Sequence, residues 1–533
     1  MGVGRRCRGR FPFNGEKVIF CLLVLCYLVP LWAFRYIPTQ DGPSHLANAE
    51  IMKKYNDAGA EYLRSHYVVN LKPIPNLLYH LILAGLLYLF KPLVAEKVLL
   101  SAYVIIFAYA LRALGKAAGG RAGPAAFLVF PIIFSFPFHM GFFGFMFSLA
   151  FATFGIAYYW QRRGEAAARL FVKLNALAFV IFFFHLLGWV VFIGGVILLA
   201  WLDAAREVLD ARRSGGSAAL PHRRLLGKLA VPLYLAPAGA WGLYYVLGRQ
   251  AGFVDYRGAA WLVKYMFRLE TLRVFVPTQK WPATALAVAI GAAVIAALGV
   301  AVYRFAKRKS RPAKGGGPAW IWGAVVVAAL ALYAAAPDAA VSGGFISNRL
   351  SLLPLIAASA WVAAAGGKLI RRFLFVIGPT LALAYVATVF VEYRGMNADL
   401  REFNTGHCCF AGECTILPII CTREPRPGCA VHYMEHAGSY YTIGNYNVDL
   451  LNYEADNRNF PVAWRVGPLP IGWGGAPDGT PIYVIDGIYG DVDYLICWRV
   501  NPFVSGMREM FAHYRLVHST THVMILRRRD IGS

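Results

Sequence analysis

Charged side chains are scarce in this sequence. Asp, Glu, Lys and Arg make up 15% of its 533 residues and hydrophobic residues 58%, whereas a soluble domain carries nearer a quarter charged residues. With a mean hydropathy of +0.51, this excludes an ordinary soluble protein. Acidic residues are scarcer still, 28 against 53 Lys and Arg, giving a formal net charge of +25. In a soluble chain that excess would suggest nucleic acid. No basic, aromatic-interleaved face occurs in a polar segment here, so no nucleic-acid partner is expected. Also missing are G-x-x-x-x-G-K-[ST], a G-x-G-x-x-G after a strand, H-E-x-x-H and G-x-S-x-G. Nucleotide-driven transport, metalloprotease and serine-hydrolase readings therefore lack support.

What is present is long apolar sequence. Stretches able to cross about 30 Å of hydrocarbon recur between residues 17 and 392 and then stop. Basic residues cluster between them: Arg5, Arg6, Arg8, Arg10 and Lys17, then Arg162 and Arg163, then residues 206–228, 304–314 and 368–372. By the positive-inside rule these clusters face the cytoplasm. The spans so placed are 17–37, 97–113, 124–139, 141–160, 170–187, 188–202, 229–247, 281–302, 319–336, 350–366 and 373–392. An odd number takes the N-terminus inside and the C-terminus outside. Residues 76–90 are apolar but only about 15 long and read as a short or interfacial helix, so the total is about eleven to thirteen. The first run, 18–37, has no small-residue cleavage site and reads as an uncleaved anchor rather than a signal peptide.

The expected architecture is a polytopic α-helical membrane protein of a bacterial cytoplasmic (inner) membrane. Residues 1–392 form the transmembrane domain, with a first outer loop at about 38–75, and residues 393–533 form an extracytoplasmic α/β domain. Within the latter, 415–420, 439–443, 481–485 and 492–498 read as strands, 502–513 as a helix, and 514–518 with 521–526 as a strand pair. Residues 396–403 continue helically from the last span. Of the nine cysteines, Cys7, Cys21 and Cys26 belong to the N-terminal segment and first span. The remainder, Cys408, Cys409, Cys414, Cys421, Cys429 and Cys497, are an even number in an exported domain, which favours disulfides. A zinc site using His407, His432 or His436 stays open, although no C-x-x-C pair is present.

The most informative stretch is Pro38-Thr39-Gln40-Asp41-Gly42-Pro43-Ser44-His45, where the first span reaches the outer surface. Pro43 suits the first turn of a helix. Ala47, Ile51 and Tyr55 then form one stripe, as in a helix lying along a membrane surface. His45 follows Asp41 by four residues, so both can face one spot at a helix N-terminus, which also favours a phosphate. Asp41 as a plain N-cap is the competing reading.

In this layout the sequence resembles the GT-C superfamily of membrane glycosyltransferases, which includes protein O-mannosyltransferases and lipid A aminoarabinose transferases. Those enzymes carry a catalytic acidic residue soon after the first span, in a large first outer loop, and many end in an outer domain. The resemblance implies transfer of a sugar from a polyprenyl-phosphate carrier to an acceptor that is a lipid, glycan or protein, with Asp41 as general base. It departs from the mannosyltransferases in having Gly42, not a second acid, after Asp41. No W-W-D-Y-G stretch is present.

The departing phosphate needs cations, from Arg, Lys or a divalent metal; no other cofactor is implied beyond the lipid-linked sugar donor. Arg349, in Gly343-Gly344-Phe345-Ile346-Ser347-Asn348-Arg349, is the first candidate to hold it, though an arginine snorkelling to head groups reads the same. His45, His139 and His185 fall on the same expected face and are further candidates; a neutral histidine bonded to a helix-end carbonyl is the plainer reading of the last two. His432-Tyr433-Met434-Glu435-His436 and Ser439-Tyr440-Tyr441 offer polar and aromatic groups for carbohydrate, or equally a strand with a solvated face. The rival functions are a transporter or flippase of envelope glycolipids and a non-catalytic assembly module. Against transport, the acidic residues lie mostly in loops and no internal repeat is visible.

Overall fold

The structure is a computed structural model. It describes the chain apart from residues 1–14, 121–122, 214–221, 249–253, 307–317, 341–342, 411, 422–427, 458, 466–471, 476–480, 485–490, 501–510 and 530–533.

Among the described residues, eight helices are long and apolar enough to cross a membrane: Gly15–Ala33, Pro92–Gly119, Phe143–Arg162, Ala167–Phe184, Leu186–Arg212, Val276–Arg304, Ile346–Ala365 and Lys368–Cys409. The difference from eleven to thirteen lies in particular segments. Residues 124–139 form a 3₁₀ helix, Pro124–Phe134, and one turn, Phe136–His139, wholly buried among other helices. Prolines at 124, 131 and 137 explain this, since each removes an N–H donor and disfavours a continuous α-helix. Residues 229–247 break into two short helices, Val231–Tyr234 and Ala236–Leu247, each with a proline in its first turn. Ala319–Ala335 is helical but only 17 residues long. The apolar segment after residue 76 is the ten-residue helix Leu77–Leu86, about 15 Å at 1.5 Å per residue, too short to span.

The last helix, Lys368–Phe403, runs through residue 392 without a break and enters the C-terminal sheet domain. Among the described residues the strands are β1 (Tyr67–Val69), β2 (Thr415–Ile420), β3 (Val448–Asp449), β4 (Val462–Trp464), β5 (Gly472–Gly475), β6 (Pro481–Val484), β7 (Tyr494–Trp498), β8 (Tyr514–Ser519) and β9 (Val523–Arg528). Five form one mixed sheet in the order β3-β2-β7-β9-β8. β2 is parallel to both neighbours and wholly buried, which explains its unbroken apolar run. Pro418 fits because β3 pairs only as far as Ile416, so the missing N–H costs no ladder bond on that side. The strand expected at 439–443 is instead the buried 3₁₀ turn Ala437–Thr442. The expected helix at 502–513 lies largely outside the described residues.

The first loop is built into this domain. β1 pairs antiparallel with β4, and Ile51, Leu63 and Tyr67 share a hydrophobic cluster with Leu417, Val448, Leu495 and Leu526. The helix Gly42–Lys54 does not lie along a membrane surface as its stripe suggested: residues 42–51 are all buried. It packs between Leu77–Leu86 on one side and the turn Ala437–Thr442 on the other. Its Asn48 makes a reciprocal amide pair with Asn452, at 3.0 and 2.9 Å. That pair explains why a polar residue can be buried on this helix.

Candidate active site

Asp41 is held by a turn from elsewhere in the chain. The N–H groups of Gln40 and Asp41 donate to the carbonyls of His139 and Met140, at 2.9 and 3.1 Å. Gly141 follows with φ +87°, and a Cβ there would sit 2.7 Å from the Asp41 Cβ, so only glycine permits this approach. Pro43 does occupy the first turn of the helix, and Asp41 stands at its N-cap position. Its carboxylate nonetheless makes no capping bond, which removes the plain N-cap reading. Instead Tyr453 lies within electrostatic reach of it, and His436 Nε2 lies 3.7 Å from Oδ1. Asp41 is 7% exposed. Burial pushes its pKa up to about 7; His45 opposes this, and the nearby Glu454 and Glu435 add to it. A carboxyl so placed exchanges a proton near neutral pH, as a general base must.

Arg349 lies within electrostatic reach of Asp41 and Tyr453. Its guanidinium rests on the Phe142 ring, 3.9 Å from the centroid, and 5.8 Å from that of Phe145. Its Nε is buried without a hydrogen-bond partner among the described residues. A side chain snorkelling to head groups would be solvated at its tip; this one is turned inward, with donors left over for an anion. His185 also packs on Phe145, ring centroids 5.6 Å apart. One of its nitrogens is engaged, since Nδ1 accepts from the Leu187 N–H at 3.0 Å.

His45 does not point at Asp41. Its Nδ1 lies 2.6 Å from Glu454 Oε1, and its Nε2 2.9 Å from the Gly141 carbonyl. His80 meets the other oxygen of Glu454, Nε2 to Oε2 at 2.8 Å, while its Nδ1 lies 3.0 Å from the Asn76 carbonyl. Both nitrogens of His45 are thus engaged within the protein, by Glu454 and the Gly141 carbonyl, rather than turned toward Arg349. Burial alone would raise Glu454, but the two imidazoles hold its carboxyl well below the usual range. Burial also opposes a charged His80, and Glu454 more than reverses it, raising that pKa. The three side chains are buried, with ligand atoms within 4.8 Å of one another. The set fits a divalent cation: each imidazole has a backbone carbonyl for its second nitrogen, as metal-ligating histidines do. Two imidazolium rings sharing one carboxylate would satisfy the same atoms.

His139 lies at the turn beside Asp41. It is fully buried, with Nδ1 3.1 Å from the Ser135 carbonyl and Nε2 3.1 Å from the Tyr393 hydroxyl. Its carbonyl accepts from the Gln40 N–H, so it belongs to the turn that grips Asp41. Tyr440 and Tyr441 are buried in the core, so they offer no face to carbohydrate. His436 does reach the site, stacked on Tyr453 with ring centroids 4.5 Å apart; burial lowers its pKa to about 4. No disulfide joins the eight described cysteines. In the sheet Cys497 stands opposite Ile419 and Met524 rather than another cysteine, and the Cys414 thiol donates to Asn447 Oδ1 at 3.3 Å.

Tyr453, Glu454 and His80 were not singled out from sequence. Glu454 and Tyr453 lie in a polar stretch of loop-like composition, and His80 in an apolar helix where a lone histidine gives little signal. No family model matches the chain, and no curated protein matches it. Among solved structures the chain is similar to ArnT from Cupriavidus metallidurans in the apo state, at 10% sequence identity, over 96% of this chain and 97% of that one, with a TM-score of 0.49.

Proposed function

We propose that this protein is a membrane glycosyltransferase that moves a sugar from a polyprenyl-phosphate carrier to an extracytoplasmic acceptor, a lipid, glycan or protein. The observation that carries the reading is a buried carboxylate, Asp41, free of capping duty and facing an inward-turned arginine, Arg349. The acceptor hydroxyl attacks the anomeric carbon of the donor. A new C–O bond forms there as the bond from that carbon to the phosphate oxygen breaks. Asp41 takes the hydroxyl proton, and Arg349 meets the charge that gathers on the departing lipid phosphate. Tyr453, electrostatically coupled to Asp41, lines the same site. His185, beside Arg349, lines the same side.

A divalent cation at His45, His80 and Glu454 belongs to this proposal. It would tie the first loop to the C-terminal domain, contributing to assembly rather than to proton transfer. The N-terminus and basic loops lie in the cytoplasm and the C-terminal domain outside it.

The test is transfer from a panel of radiolabelled polyprenyl-phosphate sugars by the purified protein in lipid, wild type against Asp41→Asn and Arg349→Lys. Transfer by wild type that falls at least about a hundredfold in Asp41→Asn supports the base assignment; equal rates would move the base elsewhere. No transfer from any donor by folded wild type would reject the reading.

A further inference from the structure

A cavity of about 320 Å³ is lined by Trp261, Lys264, Tyr265, Glu270, Arg273 and Asn348 among others. This volume is at the lower end of the range for small-molecule sites, ~300–1,000 Å³. The short helix Ile346–Leu350 places Asn348 on the cavity and its neighbour Arg349 toward Asp41. The cavity sits at the end of the bundle that carries the C-terminal domain. The Ala430 N–H donates to the Val274 carbonyl and the Val276 N–H to the Gly428 carbonyl, at 2.8 and 2.9 Å.

The chemistry of the lining is specific. Lys264 is exposed at the rim, and Arg273 is only loosely countered by Glu270, at 3.8 Å. Two cations against one carboxylate leave an anion-binding surplus. Asn348 is 5% exposed. It donates to the Tyr265 hydroxyl at 2.9 Å, while its Oδ1 is buried without a partner among the described residues. A buried acceptor without a donor costs about 1–3 kcal/mol, and a ligand hydroxyl would remove that cost. Beside the rim the helix Ala259–Phe267 turns an apolar stripe outward, Val263 56% and Phe267 78% exposed. Lys264 and Arg268 lie on the adjacent stripe, the composition of a helix at a membrane interface. The first residues of a lipid-facing span, Val276–Arg304, close the same wall, so the cavity opens at the level of lipid head groups.

We propose that this cavity binds the headgroup of a membrane lipid that carries both a phosphate and free hydroxyls. The phosphate lies between Lys264 and Arg273, a hydroxyl donates to Asn348 Oδ1, and the chains run along Val263 and Phe267. A phospholipid with a polyol headgroup and a lipid-linked sugar phosphate share this chemistry. The assignment does not depend on glycosyl transfer.

Equilibrium binding is measured by native mass spectrometry of the full chain released from detergent. The probes are phosphatidylglycerol, a polyprenyl-phosphate hexose, phosphatidic acid, phosphatidylcholine and inorganic phosphate. Wild type is expected to prefer one of the first two over phosphatidylcholine by about tenfold or more, the worth of one charge-assisted contact. Which of the two binds identifies the source. Lys264→Ser, alone and with Arg273→Gln, should weaken that binding about tenfold or more, while Lys280→Ser, an exposed cation outside the cavity, should not. Asn348→Leu should remove the preference for hydroxylated lipid over phosphatidic acid. Unchanged binding in monodisperse Lys264→Ser protein, or competition by inorganic phosphate as effective as by lipid, would overturn the proposal.

Discussion

At the scale of single residues, Asp41 is a carboxyl whose pKa burial pushes up to about 7. If Asp41 is the base, transfer should fall about tenfold for each pH unit below about 7 and level off above it. A pH–rate profile checks this, and a limb near pH 4 would mean a solvated base. The same shift carries a stability cost. The folded pKa is raised above the ordinary 3.8, so between about pH 4 and pH 7 the folded chain holds a proton that the unfolded chain has lost. Stability therefore falls as pH rises through that window, by up to about 4 kcal/mol. Asp41→Asn should be as stable as wild type at pH 4 and melt higher at pH 8, which a pair of thermal scans would show. Gly141 is the second residue-scale prediction. Gly141→Ala combines a left-handed φ with a Cβ pressed on Asp41, so it should cost about 1–3 kcal/mol and lower the turnover rate together with the melting temperature.

At the scale of elements, the helix Gly42–Lys54 shows where periodicity misleads. Its stripe of Ala47, Ile51 and Tyr55 is apolar on one side, and one apolar side is what an interfacial helix has. The other side is buried as well, because Asn48 finds Asn452 and Glu50 accepts from the Gly444 N–H. Those partners are about 400 residues away and invisible to a local pattern. Replacing Asn48 by Leu should destabilise the protein by about 1–3 kcal/mol by orphaning Asn452. Asn48→Leu combined with Asn452→Leu should recover part of that loss in chemical or thermal unfolding. The strands were easier to read. β2 has the apolar composition of a strand buried on both faces, and β8 and β9 are two short runs separated by Thr520, Thr521 and His522. The segment 439–443 shared the composition of a strand but packs as a tight turn against Pro418, with Gly438 there leaving room for the proline ring.

At the scale of the molecule, the site is assembled from distant places: the loop after the first span, the turn at His139–Phe142, the start of a late span at Arg349, the helix carrying His80, and residues 436–454 of the C-terminal domain. The trio His45, His80 and Glu454 joins three of them. If a divalent cation is held there, the purified wild type should carry about one equivalent by elemental analysis, and Glu454→Gln should carry none. Glu454→Gln should also become sensitive to protease in the first loop, since losing one partner of a buried charge cluster is strongly destabilising. A metal-free wild type of full stability would instead assign the trio to two imidazoliums on one carboxylate.

The sequence by itself determined that the chain crosses a membrane many times, where most spans run, that a sheet domain follows, and that Asp41 stands where the chain leaves the first span. Those properties follow from local composition, because hydrocarbon thickness and strand periodicity act on contiguous residues. Only the tertiary structure decided what surrounds Asp41. It turned Arg349 inward, set Tyr453 and His436 against the carboxylate, and committed His45 to Glu454. Desolvation and pairing act through space between residues far apart in the chain, so no local pattern carries them.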